Sequence, residues 1–159
     1  MSTHRADVTA DPLTATRAPA RPLIDVRGPR FGAWVTTVVL AVVLVTGWWP
    51  LLAAQAVVFA AGAFGGPRRA PYGLVFRHLV APRFGPVTER EDPAPPTFAQ
   101  AVGLAFAVLG VLGYVLGAPV LGVVATALAL VAALLNAAVG FCLGCELYLL
   151  LRRVRLSNN

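Results

Sequence analysis

The stretch FGAWVTTVVLAVVLVTGWW, residues 31 to 49, decides how this chain reads. It carries no charge over its 19 residues. As a helix it would cover about 28 Å, close to a bilayer core of about 30 Å. Trp48 and Trp49 close it, and paired tryptophans suit the headgroup belt. Pro50 then breaks one helix or starts the next.

Outward from this run the pattern repeats. Residues 51–64 are apolar but short for a span, and Gly65, Gly66 and Pro67 stop them. A third run covers about 98–116, followed by the turn signal Gly117, Ala118 and Pro119. A fourth covers 120–151 and holds one charge, Glu146. Upright and helical it would extend about 48 Å. It must tilt, protrude or break, and Asn136 and Gly140 are the natural break points.

The whole composition agrees. Of 159 residues 58% are apolar and 13% charged, and mean hydropathy is +0.75. Disorder needs the opposite balance, and a soluble domain would lack polar surface. The net charge is +6, carried by 13 basic residues, all arginine. In a soluble chain that excess could indicate nucleic acid. Here the arginines lie before run one, between runs two and three, and after run four. Cytoplasmic loops collect positive charge. The expected fold is therefore all-α: an integral membrane four-helix bundle of two hairpins, both termini cytoplasmic. It sits in the cytoplasmic membrane, its partner is the lipid bilayer, and nucleic acid is not a partner. Residues 1–24 read as a disordered tail, 25–155 as the membrane domain and 156–159 as a short C-terminal tail.

The central loop, 65–97, carries one more element. Tyr72, Val75, Phe76, Leu79 and Val80 recur at helical spacing, between Pro71 and Pro82. This predicts a short amphipathic helix lying on the inner membrane surface. His78 lies off that face and reads as a solvated histidine rather than a ligand. Glu89, Glu91 and Asp92 read as solvating charges.

The chemistry-bearing residues cluster in the fourth run. Both cysteines, Cys142 and Cys145, stand at C-x-x-C spacing beside Glu146. On a continuous helix the three share one face near the inner half of the bilayer. A disulfide is within reach at that spacing. An intramembrane acid is costly and suggests function. Glu146 could take the proton when a thiolate forms. The competing reading makes the cysteines packing residues beside a Gly140–Gly144 contact face. Two thiolates alone do not complete a metal site, and no motif requires a cofactor. Asn136 reads as a helix–helix hydrogen-bonding residue and Tyr148 as an interfacial anchor.

Three segments carry a resemblance: Asp25-Val26-Arg27-Gly28-Pro29-Arg30-Phe31, Pro96 to Gln100 with Gly103, and Asn136 through Gly140-Phe141-Cys142-Leu143-Gly144-Cys145-Glu146-Leu147-Tyr148. Together they resemble the bacterial membrane family called domain of unknown function 4395, over about Asp25 to Arg153. The resemblance implies proximity to thioredoxin-like proteins and rhodanese-type sulfurtransferases in actinobacteria, hence sulfur or thiol handling.

The first expectation is a thiol-disulfide or sulfur-relay protein with catalytic Cys142, Cys145 and Glu146. Asn136, Gly140, Gly144 and Tyr148 support the site. Its partner would be a thioredoxin-like or sulfurtransferase protein, and a homo-oligomer is compatible. A small transporter of a sulfur species, and a structural membrane subunit without catalysis, are the alternatives.

Overall fold

The apolar runs fold as helices, and the glycines beside them set where each one stops. The computed structural model describes residues 23–87 and 89–157. Helix α1 spans Arg27–Thr46. It ends at Gly47, in the left-handed region at φ 67°, whose N–H returns to the Val43 carbonyl at 2.8 Å. The tryptophan pair therefore belongs to the turn and to the next helix. Helix α2, Trp49–Gly65, has Pro50 in its first turn, where a missing N–H costs nothing. Helix α4, Ala94–Val115, starts earlier than the apolar run. Prolines fill its first turn, and the Asp92 Oδ1 accepts the Ala94 N–H at 2.7 Å. Helix α5 spans Pro119–Val139.

The protein is all-α, with three helices long and apolar enough to cross a membrane: α1, α4 and α5. Helix α2, at 17 residues, is a shorter apolar helix. Helix α1 packs on α5, α5 on α4 and α4 on α2. The core holds Leu40, Val43, Leu52, Ala56, Phe59, Ala107 and Ala129. Small residues carry the close approaches: Gly113 lies against the Gly122 backbone, and a side chain there would collide. Between apolar helices in lipid, backbone proximity replaces the hydrophobic drive. Val38, Val57, Leu109 and Leu128 remain exposed outside, which suits a lipid environment.

The central loop does more than lie on a surface. Helix α3, Pro71–Val75, continues through a wide π turn at Phe76–Val80 and a tight turn at Ala81–Arg83. Its apolar face splits. Phe76 is buried and lies 3.4 Å from where a Gly28 side chain would begin; Tyr72 stands 3.6 Å from the same position on Gly32. The missing side chains of Gly28 and Gly32 let α3 sit against α1. Val75 and Leu79 stay exposed. The Tyr72 hydroxyl donates to the Gln55 Oε1 at 2.7 Å, and the Gln55 Nε2 meets the Thr36 Oγ1 at 3.4 Å. Gln55 and Thr36 are buried, so this row satisfies polar groups inside an apolar bundle.

A two-residue antiparallel ladder closes the loop: β1, Ile24–Asp25, pairs with β2, Arg90–Glu91. Ile24 is buried, so the folded part begins before the boundary expected at residue 25. Residues 1–22 of the expected tail lie outside the described residues, as do 158 and 159 of the C-terminal one. Residues 156 and 157 finish the last helix.

Of the expected outcomes for the fourth run, tilt, protrusion or a break, the structure takes the break, at Gly140. The run is not one helix over 120–151. Gly140 adopts φ 74° and ends α5; its N–H bonds the Asn136 carbonyl at 3.1 Å, and the Phe141 N–H bonds that of Leu135 at 3.3 Å. A left-handed glycine is a common helix stop. A new helix, α6, begins at Leu143 and runs to Ser157.

Candidate functional site

The break at Gly140 builds the site. Helix α5 returns to the end of the bundle where α1 begins, and the chain turns there before entering α6. Cys142 therefore precedes the first helical residue, and Cys145 sits in the first turn. Their Cα atoms are 5.2 Å apart and their sulfurs form a disulfide. The Cys145 N–H donates to the Cys142 Sγ at 3.3 Å, and the Glu146 N–H to the Cys142 carbonyl at 3.0 Å. Cys142 thus occupies the position of a helix cap, where the first backbone N–H groups need acceptors.

This changes the electrostatics inferred from a continuous helix. The amino end of a helix carries partial positive charge, which favours an anion. A thiolate on Cys142 would sit on that end and accept a backbone N–H, an arrangement that favours the anion. Glu146 is exposed in the same first turn and is not buried among helices. The acid is at an accessible end of the bundle because the glycine stop turns the chain out of α5.

Two contacts with α4 hold α6 in place. Gly144 faces α4: a side chain there would begin 2.6 Å from the Ala99 Cα. Tyr148 packs its ring on Phe98 of α4 at 5.8 Å between centroids. Gly140 and Gly144 therefore do not form one contact face. The first is a helix stop and the second a close-approach point on a different helix. Asn136 contributes its backbone carbonyl to the stop and is half-buried.

The residue that the sequence reading did not single out here is Arg30. Its Nε and Nη2 donate to the carbonyls of Ala137 and Ala138, at 3.3 and 3.2 Å. A cation over the last carbonyls of a helix complements its negative end. Arg30 had entered as a marker of orientation and within a resemblance segment, and an arginine near the start of a span gives no signal of a contact made 107 residues away.

The remaining acids and histidine resolve separately. Asp25 holds Arg27 in an ion pair at 2.9 Å, and Arg27 also donates to the Phe84 carbonyl at 3.0 Å. Glu91 is half-buried rather than solvated, and burial together with neighbouring Glu89 raises its pKa. Asp92 receives the first N–H of α4. His78 is exposed beside Arg77. Among the described residues, no three His, Cys, Asp or Glu side chains gather as a metal set.

A family model described as a domain of unknown function, DUF4395, matches residues 24–153. No curated protein and no solved structure matches the chain.

Proposed function

The chain belongs to the DUF4395 family, and from that premise we propose that it is a membrane thiol-disulfide or sulfur-relay protein working through Cys142 and Cys145. The observation that carries this reading is the disulfide at the amino end of α6, with the Cys145 N–H on the Cys142 sulfur. A soluble partner must reach the sulfurs. Their position at the end of the bundle, after the glycine stop, supports such access; a site in mid-helix would not.

The exchange runs as follows. A partner thiolate attacks the Cys142 sulfur, the Cys142–Cys145 bond breaks, and Cys145 leaves as a thiolate that takes up a proton. A second partner thiol, losing its proton, then attacks the mixed disulfide and releases Cys142 as thiolate. The partner loses two electrons and the pair gains them. In reverse, the Cys142 thiolate is the attacking group, favoured by the helix end. Glu146, adjacent to Cys145 in sequence, serves as the proton carrier. The arginine-bearing end of the bundle faces the cytoplasm in this reading, because the opposite turns, Gly47–Trp48 and Leu116–Ala118, carry no charge. A thioredoxin-like or sulfurtransferase protein fits as partner there.

Thiol trapping in intact membranes tests the reading. The expected result is a pair that becomes alkylated after mild reductant and protected after oxidant. Cys145→Ser should accumulate a mixed disulfide through Cys142. Cysteines that hold one state under both treatments would remove the proposal.

A further inference from the structure

Independently of the cysteine pair, we propose that the arginine loop and the wedge between α1 and α2 form a binding site for an amphiphile with an anionic, phosphate-bearing head. A cavity of about 440 Å³ opens there, within the range of small-molecule sites. Arg68, Arg77 and Arg90 line it and are all exposed. The one acid in the lining, Asp25, is already paired with Arg27. The cavity therefore keeps a surplus of guanidinium charge. Guanidinium groups are suited to phosphate because their planar donors match its oxygens.

The rest of the lining is largely apolar, and along α2 it reaches Val58. Ile24, Pro29, Val58 and Phe76 form walls, with Tyr72 and Gln100 as polar points. Val58 lies seven residues before the loop end of α2, which is about 10 Å along the helix. A charged mouth above an apolar shaft of that depth describes an amphiphile, with the head among arginines and the body between helices. A free small anion would leave the shaft empty, and a neutral apolar molecule would leave the arginines unused.

The site is separate from the cysteines. Pro96 and Gln100 of α4 line the cavity, whereas Phe98 and Ala99 of the same turns hold α6. A failure here leaves the thiol proposal untouched, and the reverse also holds.

The shared chemistry, a phosphate on an apolar body, could come from a membrane phospholipid or from a soluble phosphorylated molecule. Titration of the full chain in neutral detergent with n-octyl phosphate tests it by calorimetry. Saturable binding at one site is expected, with an octyl glucoside titration giving none. The triple variant Arg68→Gln, Arg77→Gln, Arg90→Gln should weaken binding at least tenfold. Val58→Phe, which fills the shaft without changing charge, should weaken it as well. Arg152→Gln, Arg153→Gln, Arg155→Gln removes equal charge elsewhere and should leave it unchanged. Equal loss in both triple variants, equal binding of the neutral amphiphile, or absence of saturation would each overturn the proposal. Displacement by short-chain phosphatidylglycerol but not by inorganic phosphate supports it with a lipid source. Displacement by phenyl phosphate but not by short-chain phosphatidylglycerol supports it with a soluble one, and displacement by inorganic phosphate as readily as by n-octyl phosphate would overturn it, because the apolar lining would then play no part.

Discussion

The guanidinium of Arg30, in the first turn of α1, donates to the carbonyl of Ala137, in the last turn of α5, at 3.3 Å. It lies beside Gly140 as well, with its central carbon 3.8 Å from where a side chain on that glycine would begin. One arginine thus fastens the start of the first helix to the stop that delivers Cys142. Replacing it by glutamine keeps a donor but removes the charge. The expected cost is about 1 kcal/mol, the upper end for a charge at an exposed helix end. Amide exchange across 137–142 should quicken while the middle of α5 is unaffected. Unaltered exchange at those amides would show that Arg30 does not hold the stop.

Gly140 and Gly144 fail differently when given a side chain. At Gly140 an added Cβ meets only ordinary contact, but φ 74° is strained for any L side chain. Gly140→Ala should cost about 1–2 kcal/mol through the backbone alone. At Gly144 the backbone is helical and the obstacle is α4: the added atom would sit 2.6 Å from the Ala99 Cα and 2.7 Å from its Cβ. Gly144→Ala should cost about 1–3 kcal/mol by pushing α6 outward. Ala99→Gly removes one of those two obstacles. Thermal unfolding should therefore show partial rescue of Gly144→Ala by Ala99→Gly and none of Gly140→Ala. Equal behaviour of the two would mean that α6 is not seated on α4.

Much of this architecture was legible because it rests on local rules. Uncharged runs, prolines in first turns and glycines at ends located α1, α2, α4 and the turns between them. The Gly140 break was legible as a place, since glycine weakens a helix interior, but not as a left-handed stop; that depends on what α6 packs against. Assuming a continuous helix put Cys142, Cys145 and Glu146 on one face in the inner half of the bilayer. The stop instead gives Cys142 a capping position and leaves Glu146 exposed. Contacts remote in sequence were not legible at all. Arg30 on Ala137, Tyr72 on Gln55, and Gly144 on Ala99 depend on which helices become neighbours, and hydropathy carries no such signal.

The Tyr72–Gln55 pair makes a sharper test of the central loop. Burial raises the Tyr72 pKa, so the phenol stays protonated and donates to the Gln55 Oε1. Tyr72→Phe leaves that buried oxygen without its partner and should cost about 1–3 kcal/mol. Gln55→Leu removes the acceptor and should cost a similar amount. The double variant leaves neither group orphaned by the other, so its cost should be clearly less than the sum. A strictly additive cycle, read from denaturation in detergent, would mean that α3 is not docked through this bond.

The ladder between β1 and β2 should have an acidic optimum, because its two carboxyls are shifted in opposite directions. Burial pushes Asp25 upward, but the hydrogen bonds and charge of Arg27, with the charge of Arg90, outweigh it and leave the pKa below 3.8. Its stabilising contribution is therefore full above 3.8 and is lost as pH falls through the lower folded value. Glu91 is raised above 4.5 by burial and by Glu89. The folded state holds its proton more tightly, so its contribution is full below 4.5 and is lost as pH rises through the higher folded value. The two limbs leave the ladder most stable between about pH 3.8 and 4.5. Exchange of the backbone amides around Ile24 and Glu91, corrected for intrinsic rates, should be slowest there. Asp25→Asn should flatten the acid limb only, and Glu91→Gln the neutral limb only. A profile with the same shape in both variants and in the parent would show that neither carboxyl is coupled to the ladder.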